Sequence, residues 1–480
     1  MNNALIYSIH RLYDWWRHVG DHLGFQSVTV LSDQRGKGDM AVTDAFYAAF
    51  RTFEASGAVT SDLLGEAEVD DVIARCRVLR WLPRRRAVAM ALAMGTAMDE
   101  ALEAVRPDVC ISFPIDSYVS DILARRARAR GIPYFEVTAS ALPDMCMLMH
   151  RGRLIESATP VDPARVEARI AEIADPRFTP AYVQGQAPYT RARFLRTLAY
   201  FRLRAAAFQL IAALRQDPLN LHYLDAQPIL GHKARWRDAR IADLVDRDWE
   251  SRFADTPRER RVLMGLQVFP EAAIDYWIED RDLIRHEDFL FEAARRLTAA
   301  NFQIAVKDHP LQFGFRQTGL LDRLKTLPNV VVIPYDVSGN AMLARCGINL
   351  TATGTLGLQA ALLGDISVTG EAYYVTGDED FLVLRRDADV ADLTERISQR
   401  TPPASLHERQ RRIIERLMRG SFTADFYSFK GFDAARPNPG AGELGRRLGE
   451  QIRRLGPDGE DWHRRFMPPG GGRHDGSPLQ

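Results

Sequence analysis

Phe302-Gln-Ile-Ala-Val-Lys-Asp-His-Pro310 carries a short apolar run into a lysine, an aspartate and a histidine, and stops at a proline. A brief apolar stretch ended by a chain breaker is the pattern of a buried strand. Lys307 and His309 then stand at its carboxyl end, where open α/β sheets bind ligands. Further on, Gly347-Ile-Asn-Leu-Thr-Ala-Thr-Gly-Thr-Leu-Gly357 repeats the design as a strand, a turn rich in hydroxyls and glycine, and an apolar helix. Such a turn presents backbone N–H groups to an anion at a helix N-terminus. Two anion-suited strand ends in one half of the chain imply a phosphate-bearing ligand.

The pattern extends on both sides. Arg261 to Phe269 predicts a strand, Asp288 to Ala300 a helix, and Asn329 to Ile333 and Ile348 to Thr351 two more strands. The first half alternates likewise. Strands are expected at Ala4 to Ile9, Ser27 to Leu31, Val109 to Phe113 and Tyr134 to Val137, with helices at Arg84 to Val105 and Tyr118 to Arg130. Alternation of this kind predicts βαβ units and parallel sheets. No GxGxxG fingerprint is present, and Gly36-Lys-Gly38 has too few glycines and no following Ser or Thr for a P-loop. The expected fold class is α/β: two Rossmann-like domains facing a cleft, with a helical connecting segment. The expected bounds are 1–160 for the first domain, 161–258 for the connection, 259–405 for the second domain and 406–455 for C-terminal helices. The Gly-, Pro- and Arg-rich stretch 456–480 is expected to be disordered.

At 480 residues the chain exceeds one ordinary core. It is 46% hydrophobic and 26% charged, with 63 basic residues against 63 acidic, which excludes bulk disorder and wholesale nucleic-acid binding. Cys76, Cys110, Cys146 and Cys346 are scattered without CxxC spacing and are expected to be buried thiols in a reducing cytoplasm. The first ten residues lack a charged region followed by a long apolar one, so they are expected to form a core strand, not a signal peptide. No run approaches the roughly 20 apolar residues of a spanning helix. Ala205 to Leu214 is the nearest, short and interrupted by Gln209, and is expected to be a buried or interfacial helix. Arg191 to Arg204 predicts a basic helix, either solvated and packed between domains or lying against an anionic membrane or polyanionic acceptor. A cytoplasmic protein with peripheral contact at the inner face of the membrane is the expectation.

Placed side by side, the strand ends of the second half would bring together Gln267 and Glu271, then Lys307, His309 and Pro310, then Asp336, then Thr351, Thr353, Gly354 and Thr355. A lysine cation and a histidine donor suit phosphate oxygens. Hydroxyls and turn amides suit the rest of a nucleotide, and Glu271 can accept from ribose hydroxyls. Each element alone has a plain reading: His-Pro ends a strand, Thr-Gly-Thr makes a capped turn, and Pro-Glu opens a helix. Their order and spacing favour the joint reading.

That order resembles the capsular polysaccharide synthesis family of bacterial glycosyltransferases, which includes Kdo transferases of capsule lipid-linker assembly. Gln267-Val-Phe-Pro-Glu271 is similar to its Gln-x-x-Pro-Glu element, and Val306-Lys-Asp-His-Pro310 to its Val-Lys-x-His-Pro element. Thr353-Gly-Thr-Leu-Gly-Leu-Gln-Ala360 is similar to its Thr-Gly-Thr-x-Gly-x-Glu-Ala element, with Gln359 where the family generally has Glu. In the first half, Pro107 to Pro114 and Gly131 to Glu136 resemble the family's strand, helix, Gly-Ile-Pro and strand ending in Glu. The usual glycine after Glu136 is absent, and His150 stands about where an Asp is expected. The resemblance implies a GT-B architecture, a nucleotide-activated donor in the second domain, and phosphate contacts from Lys307, His309 and the Thr353 to Thr355 turn.

Inverting glycosyl transfer needs a base for the acceptor hydroxyl and groups that stabilise the departing phosphate. The expected base is a cleft-facing carboxylate of the first domain: Glu136, then Asp116, then Asp144, with His309 serving the leaving phosphate. Asp378-Glu-Asp380 and Asp387-Ala-Asp389 are expected to be solvated, and no metal or other cofactor is expected. The function expected is transfer of a sugar, with CMP-linked Kdo favoured, to a glycan or glycolipid acceptor in surface polysaccharide assembly. Two alternatives stay open: a CDP-alcohol phosphotransferase of the same fold, and a non-catalytic subunit that binds nucleotide-sugar or polysaccharide within an export complex.

Overall fold

A computed structural model describes residues 2–9, 12–173, 189–215, 219, 234–253, 255–268, 272–401 and 403–455. The expectations for the 456–480 tail and for Glu271 lie outside these residues. The first sheet takes strands β1 (Asn3–Ser8), β2 (Ser27–Ser32), β3 (Met40–Ala41), β4 (Val109–Ser112), β5 (Tyr134–Ala139), β6 (Met145–His150) and β7 (Arg153–Leu154). The second takes β8 (Arg261–Gly265), β9 (Gln303–Lys307), β10 (Val330–Val332), β11 (Ile348–Leu350), β12 (Ile366–Thr369) and β13 (Leu382–Val383). An eighth strand, β14 (Ser421–Thr423), joins the first sheet.

Both sheets are Rossmann-like. The second runs β10-β9-β8-β11-β12-β13, every pair parallel. The first runs β3-β2-β1-β4-β5 in parallel and ends in antiparallel β6 and β14. In each, the chain steps outward from one central strand, returns to it, and steps out on the other side. Ligands bind at that reversal, outside the carboxyl ends of the strands. β4 and β9 are buried along their whole length, as expected of parallel strands covered by helices on both faces. Helix Arg84–Val105 has the predicted bounds. Its alanine-rich middle is buried and lets helix Thr43–Ser56 lie close against it.

The C-terminal region differs from the all-helical expectation. After helix Leu406–Arg419 the chain crosses back, pairs β14 with β6, and lays helix Pro439–Arg454 on helix Tyr13–Asp21 of the first domain. Leu444, Leu448 and Ile452 are buried there with Trp16, Val19 and Leu23. Asp380 is also a correction. It is 1% exposed and pairs with Arg412 at 2.6 Å, so it is a buried structural carboxylate. All four cysteines are free and buried, as expected.

The domains are joined by packing and by charge. One apolar cluster includes Met145, Met147 and Met149 of β6 together with Leu358, Ala361 and Leu362 of helix Thr355–Leu362. Beside it, Asp275 of the second domain, fully buried, pairs with Arg77 at 2.9 Å and Arg80 at 3.1 Å. Arg75 donates to the carbonyls of Asp275, Ile278 and Glu279 at 2.8 to 2.9 Å. Buried charge is costly unless paired, and removing one partner strands the other. Asp275→Ala is therefore expected to lower stability by about 3 kcal/mol or more, read as a fall in the denaturant midpoint. Asp99→Ala, which removes the pairs to Arg126 and Arg130 within the first domain, is the control for domain-independent loss.

Candidate functional site

A cleft of about 530 Å³ opens between the carboxyl ends of the two sheets. Its second-domain wall is built by β8, β9 and β11, which lie side by side with Gly265 in register with Lys307 and Leu350 with Met264. The segments that leave these strands therefore emerge level with one another. Across the reversal between β8 and β11, Gln267 and Thr353 exchange two hydrogen bonds. The Gln267 amide donates to Thr353 Oγ1 at 2.8 Å, and the Thr353 N–H donates to Gln267 Oε1 at 2.9 Å. This fixes which way the amide faces and holds the turn against the strand end.

The turn opens helix Thr355–Leu362 with Gly354 at its N-cap. Tyr374 donates its hydroxyl to the Gly354 carbonyl at 2.8 Å. A Cβ on Gly357 would lie 2.5 Å from that hydroxyl, so this helix start admits glycine and little else. The N-terminal end of a helix carries partial positive charge, and this one lies at the cleft, which Gly354, Thr355 and Leu356 line.

Lys307 is 5% exposed, and its ammonium donates to the Tyr335 carbonyl at 3.2 Å. Burial holds its pKa down to about 8, against the opposing pull of Asp308 and Asp336. Burial also lowers the His309 pKa. His309 Nδ1 accepts the Leu311 N–H at 3.2 Å, so the neutral ring carries its proton on Nε2 and offers a donor. Beneath it, Asp308 accepts from the His309 N–H at 2.8 Å, from Arg316 Nε at 2.7 Å and from the Tyr335 hydroxyl. Arg316 donates onward to the Gln267 carbonyl at 2.7 Å.

Nine residues expected from the sequence line this one cleft: Gln267, Lys307, His309, Pro310, Thr351, Thr353, Gly354, Thr355 and Gln359. Glu271 lies outside the described residues. Asp336 is exposed and does not line the cleft.

The first-domain carboxylates do not reach the cleft. Glu136 is fully buried in β5, and its oxygens accept the backbone N–H groups of Ile115 and Arg151. Burial pushes its pKa up to about 7. Asp116 is half-buried near Arg77, with burial raising its pKa and Arg77 opposing, and Asp144 is an exposed turn residue at φ 55°. The expectation of a cleft-facing base at these positions is therefore corrected in its geometry. β5 runs on past Glu136, and Thr138, Ala139, Ser140 and Ala141 are what reach the cleft. Sequence reasoning also missed Trp277, Tyr373 and Tyr427 on the lining. Tyr427 arrives only through the C-terminal return, which no local pattern announces.

Residues 215–401 match the family model described as capsule polysaccharide biosynthesis protein. No curated protein matches the sequence. Among solved structures, the chain is similar to the beta Kdo 2,4 transferase KpsC of Thermosulfurimonas dismutans. Identity is 14% over 72% of this chain and 87% of that one, with a TM-score of 0.32. It is also similar to a Rickettsia africae glycosyltransferase, at 8% identity over 95% and 98% of the two chains and a TM-score of 0.27. A Neisseria meningitidis UDP-GlcNAc 2-epimerase matches at 11% identity over 87% and 100%, with a TM-score of 0.26.

The matched segment 215–401 contains the whole second-domain wall, and its Lys307 gives that wall a pH dependence. The native pKa, about 8, lies below the ordinary 10.5. Between these values the unfolded chain binds more protons, so stability gains from this group as pH rises through the window. Anion binding moves the other way, because the charge is lost above about pH 8. Affinity for a nucleotide phosphate such as CMP is expected to fall by up to about tenfold per pH unit there, measured by calorimetry. Lys307→Met should bind weakly and without that fall.

Proposed function

We propose that the protein is a GT-B-type glycosyltransferase of capsule or surface polysaccharide assembly. It moves a sugar from a nucleotide-activated donor to a glycan or glycolipid acceptor. The observation that carries this reading is the convergence of three strand-end motifs on one wall of one cleft. A buried ammonium, an imidazole Nε2–H and a helix N-terminus all face the space where a donor phosphate would sit. Preorganised donors of this kind stabilise the negative charge that develops on a leaving phosphate. Inversion at the transferred carbon, a CMP-linked donor with Kdo as its sugar, and charge neutralisation without a metal complete the proposal.

A second reading keeps the nucleotide and omits the turnover. Among the described residues that line the cleft, the single carboxylate is Asp308, and it is committed to Arg316 and Tyr335. This favours a nucleotide-sugar-binding subunit over a CDP-alcohol phosphotransferase, which would need an activated hydroxyl as much as a sugar transferase does.

A thermal-shift panel of CMP-, UDP- and GDP-sugars, followed by product analysis with a labelled donor, separates these readings. A shift with one nucleotide and labelled product supports transfer, and a shift without product supports the binding subunit. His309→Ala should cut transfer by about a hundredfold or more while leaving the unliganded melting temperature near that of the unmutated protein. Full activity in that variant, or dependence of transfer on a divalent cation removed by EDTA, would sink the corresponding part of the proposal.

A further inference from the structure

Helix Arg191–Arg215 is packed along one side and bare along the other. On the packed side, Phe194 and Leu198 are fully buried in the second-domain core with Phe313 and Tyr335. Phe201 meets Phe315 edge-on at 4.4 Å, and a Cβ on Gly314 would lie 2.7 Å from the Thr197 side chain. At about 100° per residue, Phe194, Leu198 and Phe201 share one narrow arc. Tyr200, Leu203, Leu210, Ile211 and Leu214 fall together within about 100° on the opposite side. They are exposed, with Leu203 at 72%, Leu210 at 63% and Leu214 at 76%. A contiguous apolar stripe turned to water marks an interaction surface.

Charge selects the partner. The helix holds six arginines and no acidic residue, and Arg193, Arg196 and Arg204 lie on or beside the exposed stripe. A second copy docked face to face would set arginine against arginine across the contact. A soluble polyanion would meet the charge but leave the leucines in water. We propose that this face docks the protein on an anionic membrane surface. The leucines enter the interfacial zone, and the guanidinium groups pair with lipid phosphates. No helix among the described residues is long and apolar enough to cross a membrane, so the contact is one of lying on the surface.

The seat of the helix ties this surface to the cleft. It rests on the turn Phe313 to Arg316, and Arg316 binds Asp308, the neighbour of His309. A lipid-linked acceptor held in the same membrane would therefore be close to the phosphate-suited wall. The docking proposal itself does not depend on the transfer reaction, and its test contains no nucleotide.

The full chain is sedimented with vesicles of phosphatidylcholine alone and of phosphatidylcholine with phosphatidylglycerol. Binding is expected only with phosphatidylglycerol, and it should weaken as salt screens the charge. Leu203→Glu, Leu210→Glu and Leu214→Glu combined should abolish binding without lowering the melting temperature, since these side chains are exposed. Arg196→Gln and Arg204→Gln should each lower partitioning by roughly fivefold. The proposal is overturned by equal binding to both vesicle types, by no binding to either, by undiminished binding of the triple glutamate variant, or by a dimer that this variant dissociates.

Discussion

The buried pair between Asp308 and Arg316 sets the geometry of the phosphate-suited wall. Both residues are nearly sealed from solvent, at 2% and 4% exposure. Two buried charges are tolerable only when their remaining hydrogen-bonding capacity is met. Here Arg316 spends it on the Gln267 carbonyl, and Asp308 spends it on the Tyr335 hydroxyl and the His309 N–H. One ion pair thereby fixes the segments that leave β8, β9 and β10 relative to one another. Gln267, once held, fixes Thr353 at the end of β11 through its two reciprocal bonds. Lys307, His309 and the glycine turn are thus arranged by contacts within the chain itself, as electrostatic preorganisation requires.

Much of this wall was legible in the sequence because it is local. A fully buried parallel strand reads as an unbroken apolar run, and the turn that ends it must sit within a few residues, so Val306 to Pro310 and Ile348 to Gly357 declare both strand and site. Helix Arg84–Val105 was legible for a similar reason, with Pro83 before it and Pro107 shortly after it. β6 was not. Met-Cys-Met-Leu-Met-His has no β-branched residue, and its strand state comes from pairing with β5 and β14. β14 itself is three residues long and finds its partner far away in the chain, which periodicity cannot show. Glu136 misled for a geometric reason. It shares a face of β5 with Thr138, but lies one pleat, about 7 Å, deeper, where backbone N–H groups enclose it.

The helix Arg191–Arg215 shows how a pattern can be genuine and still ambiguous. Apolar residues on two opposite faces nearly cancel when averaged around the helix, so the sequence reads as basic and weakly amphipathic. Once Phe194 and Leu198 are placed in the core, the remaining apolar residues have no such role and the asymmetry becomes visible. The arginines then cease to be a broad polar face. Arg202 donates to the Ala234 carbonyl at 2.8 Å and Arg191 pairs with Asp243, while Arg196 and Arg204 stay with the outward leucines.

The two sides of the cleft differ in kind, and the difference bears on how charge is handled there. The second-domain wall concentrates donors: a lysine, an imidazole N–H and a helix N-terminus. The first-domain wall offers Thr138, Ala139, Ser140, Ala141 and Met147, with no charged side chain. Trp277, Tyr373 and Tyr427 add aromatic surface. An uncharged, partly apolar wall keeps the effective dielectric low, and the field of Lys307 on a facing phosphate is stronger for it. The same desolvation lowers the lysine's own pKa, so the site gives up part of its resting charge in exchange for a larger response when an anion arrives. His309 adds to that response without a charge of its own, since the Leu311 N–H on Nδ1 keeps Nε2–H directed outward as a donor. While it serves in that way it has no lone pair to accept a proton from an acceptor hydroxyl. The donors that line the described cleft thus suit negative charge, and with Nδ1 occupied His309 leaves any proton removal to another group.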